Sequence, residues 1–139
     1  MEIKIAKLEQ LIAKLNMAEE IYKQASKKVH DQPMSEYFSA LARKKRNFID
    51  TLFTEMHLIG HEEKIGFEIS SIVVGLKQYE LLDFCGKREE ELISMYKNLL
   101  NEYNDEEYIQ KMILTQMVDS KDVLIKLSEK KASSQYKSR

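Results

Sequence analysis

Seven polar side chains fall within or beside the apolar stripes of this 139-residue chain: Glu19, Lys45, Arg88, Glu89, Gln116, Asp119 and Ser120. A buried ion must be paired or must hold something, because leaving it unpaired costs on the order of several kcal/mol. Carboxylates gathered at one level allow two chemistries. With imidazoles they hold a pair of Fe or Mn ions, which take anionic oxygen and neutral nitrogen donors. With ammonium or guanidinium groups they make an ion-pair and hydrogen-bond network that needs no metal. Lys45 and Arg88 stand among these residues and no His does, so the network is the expectation, with no metal or other cofactor. Glu19, Glu89 and Asp119 are the ligands left to the metal alternative.

Other candidates have plainer explanations. His57 and His61 have metal-ligand spacing, but Gly60 lies between them and His57 is off the stripe, so both are expected exposed near a helix end. Cys85 sits on a stripe and is expected to pack as a small hydrophobe. Arg43-Lys44-Lys45-Arg46 would point four ways on a helix, giving a solvated face plus an inward Lys45. Glu89-Glu90-Glu91 divides likewise, with Glu89 inward. Seven Met are spread along the chain as core filler. Tyr22 and Tyr96 are candidates to join the polar layer, since buried hydroxyls need partners. The sequence has no Gly-rich phosphate loop, no nucleophile elbow and no Cys-x-x-Cys.

The elements that must position these residues are helices. One Pro and four Gly leave little room for β-turns, and Lys, Glu, Leu, Ile, Ala and Met are good helix formers. The first helix is predicted from Ile3 to Val29, with Leu8, Leu11, Ile12, Leu15, Ala18, Tyr22 and Ala25 on one face. Pro33 breaks it. The second is predicted from Met34 to Ile59, with Ser35 as cap or Pro33 in its first turn, ending at Gly60. A short crossing helix is expected over Glu68 to Lys77, weakened by Gly75. The third runs from Tyr79 to Tyr103, and the fourth from Glu106 to Lys130 with Asp105 as N-cap. One domain over residues 1–130 is expected, with a disordered tail over 131–139.

Short, long and short connections between four long helices predict an all-α four-helix bundle, up-down-down-up, with a long, partly helical crossover between helices 2 and 3. An up-down-up-down bundle is the alternative if the middle linker folds back tightly. The spacing of Leu11-Ile12, Tyr22 and Ala25, of Phe38 through Leu41-Ala42 to Phe48 and Leu52, and of Leu81 through Cys85 and Glu89 to Tyr96 resembles a bacterial ferritin-like family of uncharacterised function, related to rubrerythrin-type bundles. The resemblance implies acids at Glu19 and Glu89 and a Glu-x-x-His on the second and fourth helices. This chain has Lys45 and Phe48, and Gln116 with Asp119-Ser120, in those places, and Gly86 where related bundles carry an acid. A degenerate, metal-free layer is the expectation.

Net charge −1 argues against nucleic acid. No apolar run suits a membrane span, and a single Cys suits a reducing compartment, so a cytoplasmic protein is expected. The role expected is non-enzymatic, through a homodimer or another protein partner, with the wide apolar belt from Tyr37 to Phe53 as the contact surface.

Overall fold

A computed structural model describes residues 2–56 and 72–137. Among them are four long helices and no strand: α1 (Glu2–Lys28), α2 (Gln32–Met56), α3 (Gln78–Glu102) and α4 (Glu107–Lys137). None is long and apolar enough to cross a membrane.

The α1 stripe is apolar at three- and four-residue steps, and Leu8, Leu11, Leu15, Ala18, Tyr22 and Ala25 are all buried. Burying each large apolar side chain stabilises by about 1.5–3 kcal/mol. Lys27 and Lys28 close the helix, where cations suit its negative end. Asp31 then starts α2: its Oδ2 accepts the Met34 N–H (3.1 Å) and its carbonyl accepts the Ser35 N–H (2.9 Å). Pro33 occupies the first turn, where its missing N–H costs nothing. The expected cap, Ser35, does something else. Its hydroxyl donates to the Ser26 carbonyl (2.7 Å) while the Ser26 hydroxyl donates to the Ser35 carbonyl (2.8 Å), clasping α1 to α2 near their turn. Asp31→Ala is expected to cost about 1 kcal/mol, and Ser35→Ala to leave the start of α2 intact; urea unfolding followed by circular dichroism measures both.

The first four residues of the expected crossing helix (68–71), the Gly60 stop, His57 and His61 lie outside the described residues. Within them, a helical turn at 72–74 closes at Gly75, whose N–H donates to the Ile72 carbonyl (3.2 Å). Helix does not continue to Lys77: three β-branched residues followed by a Gly give the turn little to extend it. Val73 is buried, and its carbonyl accepts from Lys28 Nζ (2.7 Å), which fastens this turn to the end of α1.

α3 and α4 form a second hairpin. The Tyr103 N–H bonds the Leu100 carbonyl (3.2 Å), and the Glu106 carbonyl, not Asp105, accepts the first bond of α4 (2.9 Å, from Gln110). α4 also runs on to Lys137, where a tail was expected from 131. Lys131 explains part of this: its ammonium bonds Asp83 of α3 (2.7 Å), giving the last turns a tertiary anchor.

Contacts between the hairpins are ordered. Lys7 and Lys14 of α1 meet Glu102 (2.6 Å) and Glu91 (3.3 Å) of α3, and Tyr22 meets Glu89. Lys44 and Lys45 of α2 meet Asp119 (2.9 Å) and Ser120 (3.2 Å) of α4, and the Phe48 carbonyl meets Gln116 (3.3 Å). In the first set, positions rise along α1 as they fall along α3; in the second, the fall shows over a turn, from Lys44 and Lys45 at Asp119 and Ser120 to Phe48 at Gln116. The core lies between, with Tyr22 stacked on Phe38 at 6.1 Å. The belt of α2 belongs to it: Phe38, Leu41, Ala42, Ile49 and Leu52 are buried, and Tyr37, Phe48 and Phe53 are partly buried against them. The surface expected to be free for a partner is therefore largely consumed by the bundle itself.

Candidate functional site

Lys45 is fully buried at mid-α2, and its Nζ lies 2.8 Å from Glu89 Oε1 on α3. Glu89 is equally buried. Its other oxygen, Oε2, accepts a hydrogen bond from the Tyr22 hydroxyl of α1. The Lys45 ammonium also donates to Ser120 Oγ of α4 (3.2 Å), and the Phe48 ring centroid lies 5.8 Å away. One residue from each helix thus meets at one point. Both carboxylate oxygens have donors, and the two charges cancel. Hydrogen bonds made to charged groups are the strong ones, which lets such a pair persist without water.

A second chain of bonds runs beside it. The Tyr96 hydroxyl donates to Gln116 Oε1 (2.8 Å), and Gln116 Nε2 donates to the Phe48 carbonyl (3.3 Å). Burial, then the nearby Glu89 charge, pushes the Tyr22 and Tyr96 hydroxyls well above the usual tyrosine range, so both stay protonated donors. Burial and Glu89 likewise push the Cys85 thiol up. A nucleophilic or redox thiol needs the opposite shift and exposure. Position 86 is also turned to packing: a Cβ on Gly86 would come within 3.5 Å of Leu124 Cδ1.

The remaining expected members do not join this cluster. Glu19 is buried, but it faces Arg46 rather than Lys45, with Arg46 Nη2 donating to Oε1 (2.6 Å) and Nε contacting both oxygens (3.2 Å each). Lys23 adds a contact at 3.3 Å, and Arg46 also reaches Asn16 Oδ1 (3.1 Å). Arg88 is half-buried over the Phe84 ring and pairs with Glu91 at 2.6 Å, one turn along its own helix. Asp119 is half-buried and pairs with Lys44 (2.9 Å) at the rim. Arg88 and Asp119 therefore lie outside the buried layer, because each has a partner nearer the surface where less desolvation is needed.

Arg46 is the member that sequence reasoning missed, having been assigned to a solvated basic run. Asn16, Glu19 and Lys23 share one line along α1, at i, i+3 and i+7, and that polar line was the signal for a cation opposite. Burial raises the Glu19 carboxyl, but the Arg46 and Lys23 contacts outweigh it and hold the group below its ordinary value. The sign follows directly. A depressed folded-state value contributes stability above the unfolded value of about 4.3, and that contribution is lost as pH falls through the folded value. Glu19→Gln should flatten the stability–pH curve below about pH 5 relative to the native chain, measured by urea unfolding at stepped pH.

Glu19, Glu89 and Asp119 do not converge as a metal-ligand set. Each carboxylate is held by a different cation on a different seam. Among the described residues, no three of His, Cys, Asp and Glu are grouped to hold a metal ion. The position facing Glu89 is filled by an ammonium, which repels a metal cation. Asp119 keeps one buried oxygen, Oδ2, without a hydrogen-bond partner among the described residues.

No family model, curated protein or solved structure matches this chain.

Proposed function

We propose that this protein is a ferritin-like bundle in the up-down-down-up arrangement, whose central layer is a structural ion-pair network standing where related bundles bind metal. It acts without catalysis, by associating with itself. The arrangement is supported by the packing of α1 against both α2 and α3, with the α1–α3 ion pairs running in opposite chain directions, and by the side-chain bonds from α2 to α4. A long crossover between α2 and α3 is what that arrangement requires. The single observation that carries the metal-free layer is the Lys45 ammonium 2.8 Å from Glu89. A site with a fixed buried cation at its centre is matched to a carboxylate and mismatched to Fe or Mn.

A cytoplasmic setting goes with this reading, since the one Cys is buried and protonated. Elemental analysis of protein purified without a chelating tag tests the metal-free layer. Less than about a tenth of an equivalent of Fe, Mn or Zn is expected; a stoichiometric amount, as a tight site of this family holds, would overturn the reading.

A further inference from the structure

With the α2 belt occupied, four of the seven exposed large apolar residues among the described ones lie on α4, the others being Ile5, Ile72 and Val74. Leu114, Val118 and Ile125 are 42%, 58% and 58% exposed. At ~100° per residue they lie within ~40° of one another, opposite the buried Ile113, Gln116, Ser120 and Leu127. Their four- and seven-residue steps continue to the exposed Ala132, the spacing of a two-helix seam. Tyr108 is also exposed but points elsewhere. Between Val118 and Ile125 the stripe is flanked by Lys121 on one side and Asp122 on the other, both exposed.

We infer that two copies of this chain pair through this face, with their α4 helices parallel and in register. The charge pattern selects both the occupant and the orientation. A two-fold axis along α4 brings one flank of the stripe against the opposite flank of the other copy at the same height. Lys121 of each copy then meets Asp122 of the other, twice, while Leu114, Val118 and Ile125 each meet their own counterpart. An antiparallel pairing centred on the same stretch still sets Val118 against Ile125, but it brings like flanks together, Lys121 beside Lys121 and Asp122 beside Asp122. A partner of strong single charge gains nothing from a flank bearing one Lys and one Asp. Asp122 must turn partly from Lys126, 3.0 Å away on its own helix, but exposed pairs of that kind contribute little. One helix face is small beside a standard interface of roughly 800 Å² per partner, so dissociation on the order of micromolar is expected.

The inference rests on the self-association proposed above, and the test separates the two. Sedimentation equilibrium across concentration asks whether the full chain dimerises. Val118→Lys and Ile125→Cys ask where, with circular dichroism confirming that these exposed changes leave the helices intact. The expected results are a dimer in the native chain, a dissociation constant raised at least about tenfold by Val118→Lys, and a disulfide-linked dimer from Ile125→Cys under mild oxidation that the native chain does not give. A strict monomer at high concentration overturns both proposals. A dimer untouched by Val118→Lys, and not cross-linked through position 125, overturns the α4 surface and leaves self-association standing.

Discussion

Glu89→Leu is expected to destabilise the bundle by about 3–5 kcal/mol, the range for removing one partner of a buried ion pair. The Leu fills much of the space but leaves the Lys45 ammonium with the Ser120 hydroxyl and the Phe48 ring as its polar surroundings. Tyr22 also loses the acceptor of its hydroxyl. Lys45→Met should cost less, because Glu89 keeps the Tyr22 hydrogen bond. The double variant Lys45→Met/Glu89→Leu should recover most of the loss, since apolar replacement of a whole buried pair is often neutral or stabilising by about 1–4 kcal/mol. Urea unfolding of the three variants and the native chain gives the coupling directly. Additive losses would mean that the two side chains do not depend on one another.

The second large effect is expected at Phe38, which is fully buried and stacks on the Tyr22 ring. Phe38→Ala removes a ring from a close-packed core and should cost about 3–5 kcal/mol. It should also loosen Tyr22 and so weaken the donor to Glu89. Phe38→Ala combined with Tyr22→Phe should then cost less than the sum of the two, as contacting residues are not additive. A strictly additive pair would separate the aromatic stack from the polar network.

These two effects show which parts of the molecule were legible in the chain. Lys45 announced itself at the angular centre of the second helix's stripe, and Glu89, with Arg88, as a charge interrupting the stripe of the third. Tyr22 and Tyr96 followed from the rule that buried hydroxyls need partners. Glu19 was placed correctly inside its helix and wrongly across it. Helical periodicity fixes the face a residue occupies, not which of two adjacent cations on the next helix reaches it first, and Arg46 lies nearer than Lys45. Arg88 and Asp119 have side chains long or marginal enough to turn outward and pair at the rim. Asp31, an Asx residue two before Pro33, is the cap that sequence reasoning passed over for Ser35, whose hydroxyl bonds the Ser26 carbonyl instead. The extent of α4 depended on Lys131 finding Asp83, a tertiary contact that no local pattern carries.

The opposed cation and acid also explain why a bundle can keep a polar centre without using it for chemistry. The pair is fully enclosed, so it cannot exchange with solvent or substrate while the helices stay packed. What it can do is penalise other registers: sliding α2 by one turn against α3 would bury Lys45 without Glu89. Fixing register is the best-attested use of buried polar groups in helical assemblies.

The central claim is most directly tested by the thermal unfolding midpoint of the native protein, measured in chelator and then with Mn(II), Fe(II) under anaerobic conditions, or Zn(II) at saturating excess. A ligand that binds only the folded state at about 100 times its dissociation constant adds about 2.7 kcal/mol, or several degrees in a chain of this size. The ion-pair account predicts the same midpoint in all four solutions, to within about a degree. A rise of about 5 °C or more with one metal, abolished by Glu89→Leu and kept in Glu19→Gln or not, would contradict it and restore the mid-bundle layer as a metal site.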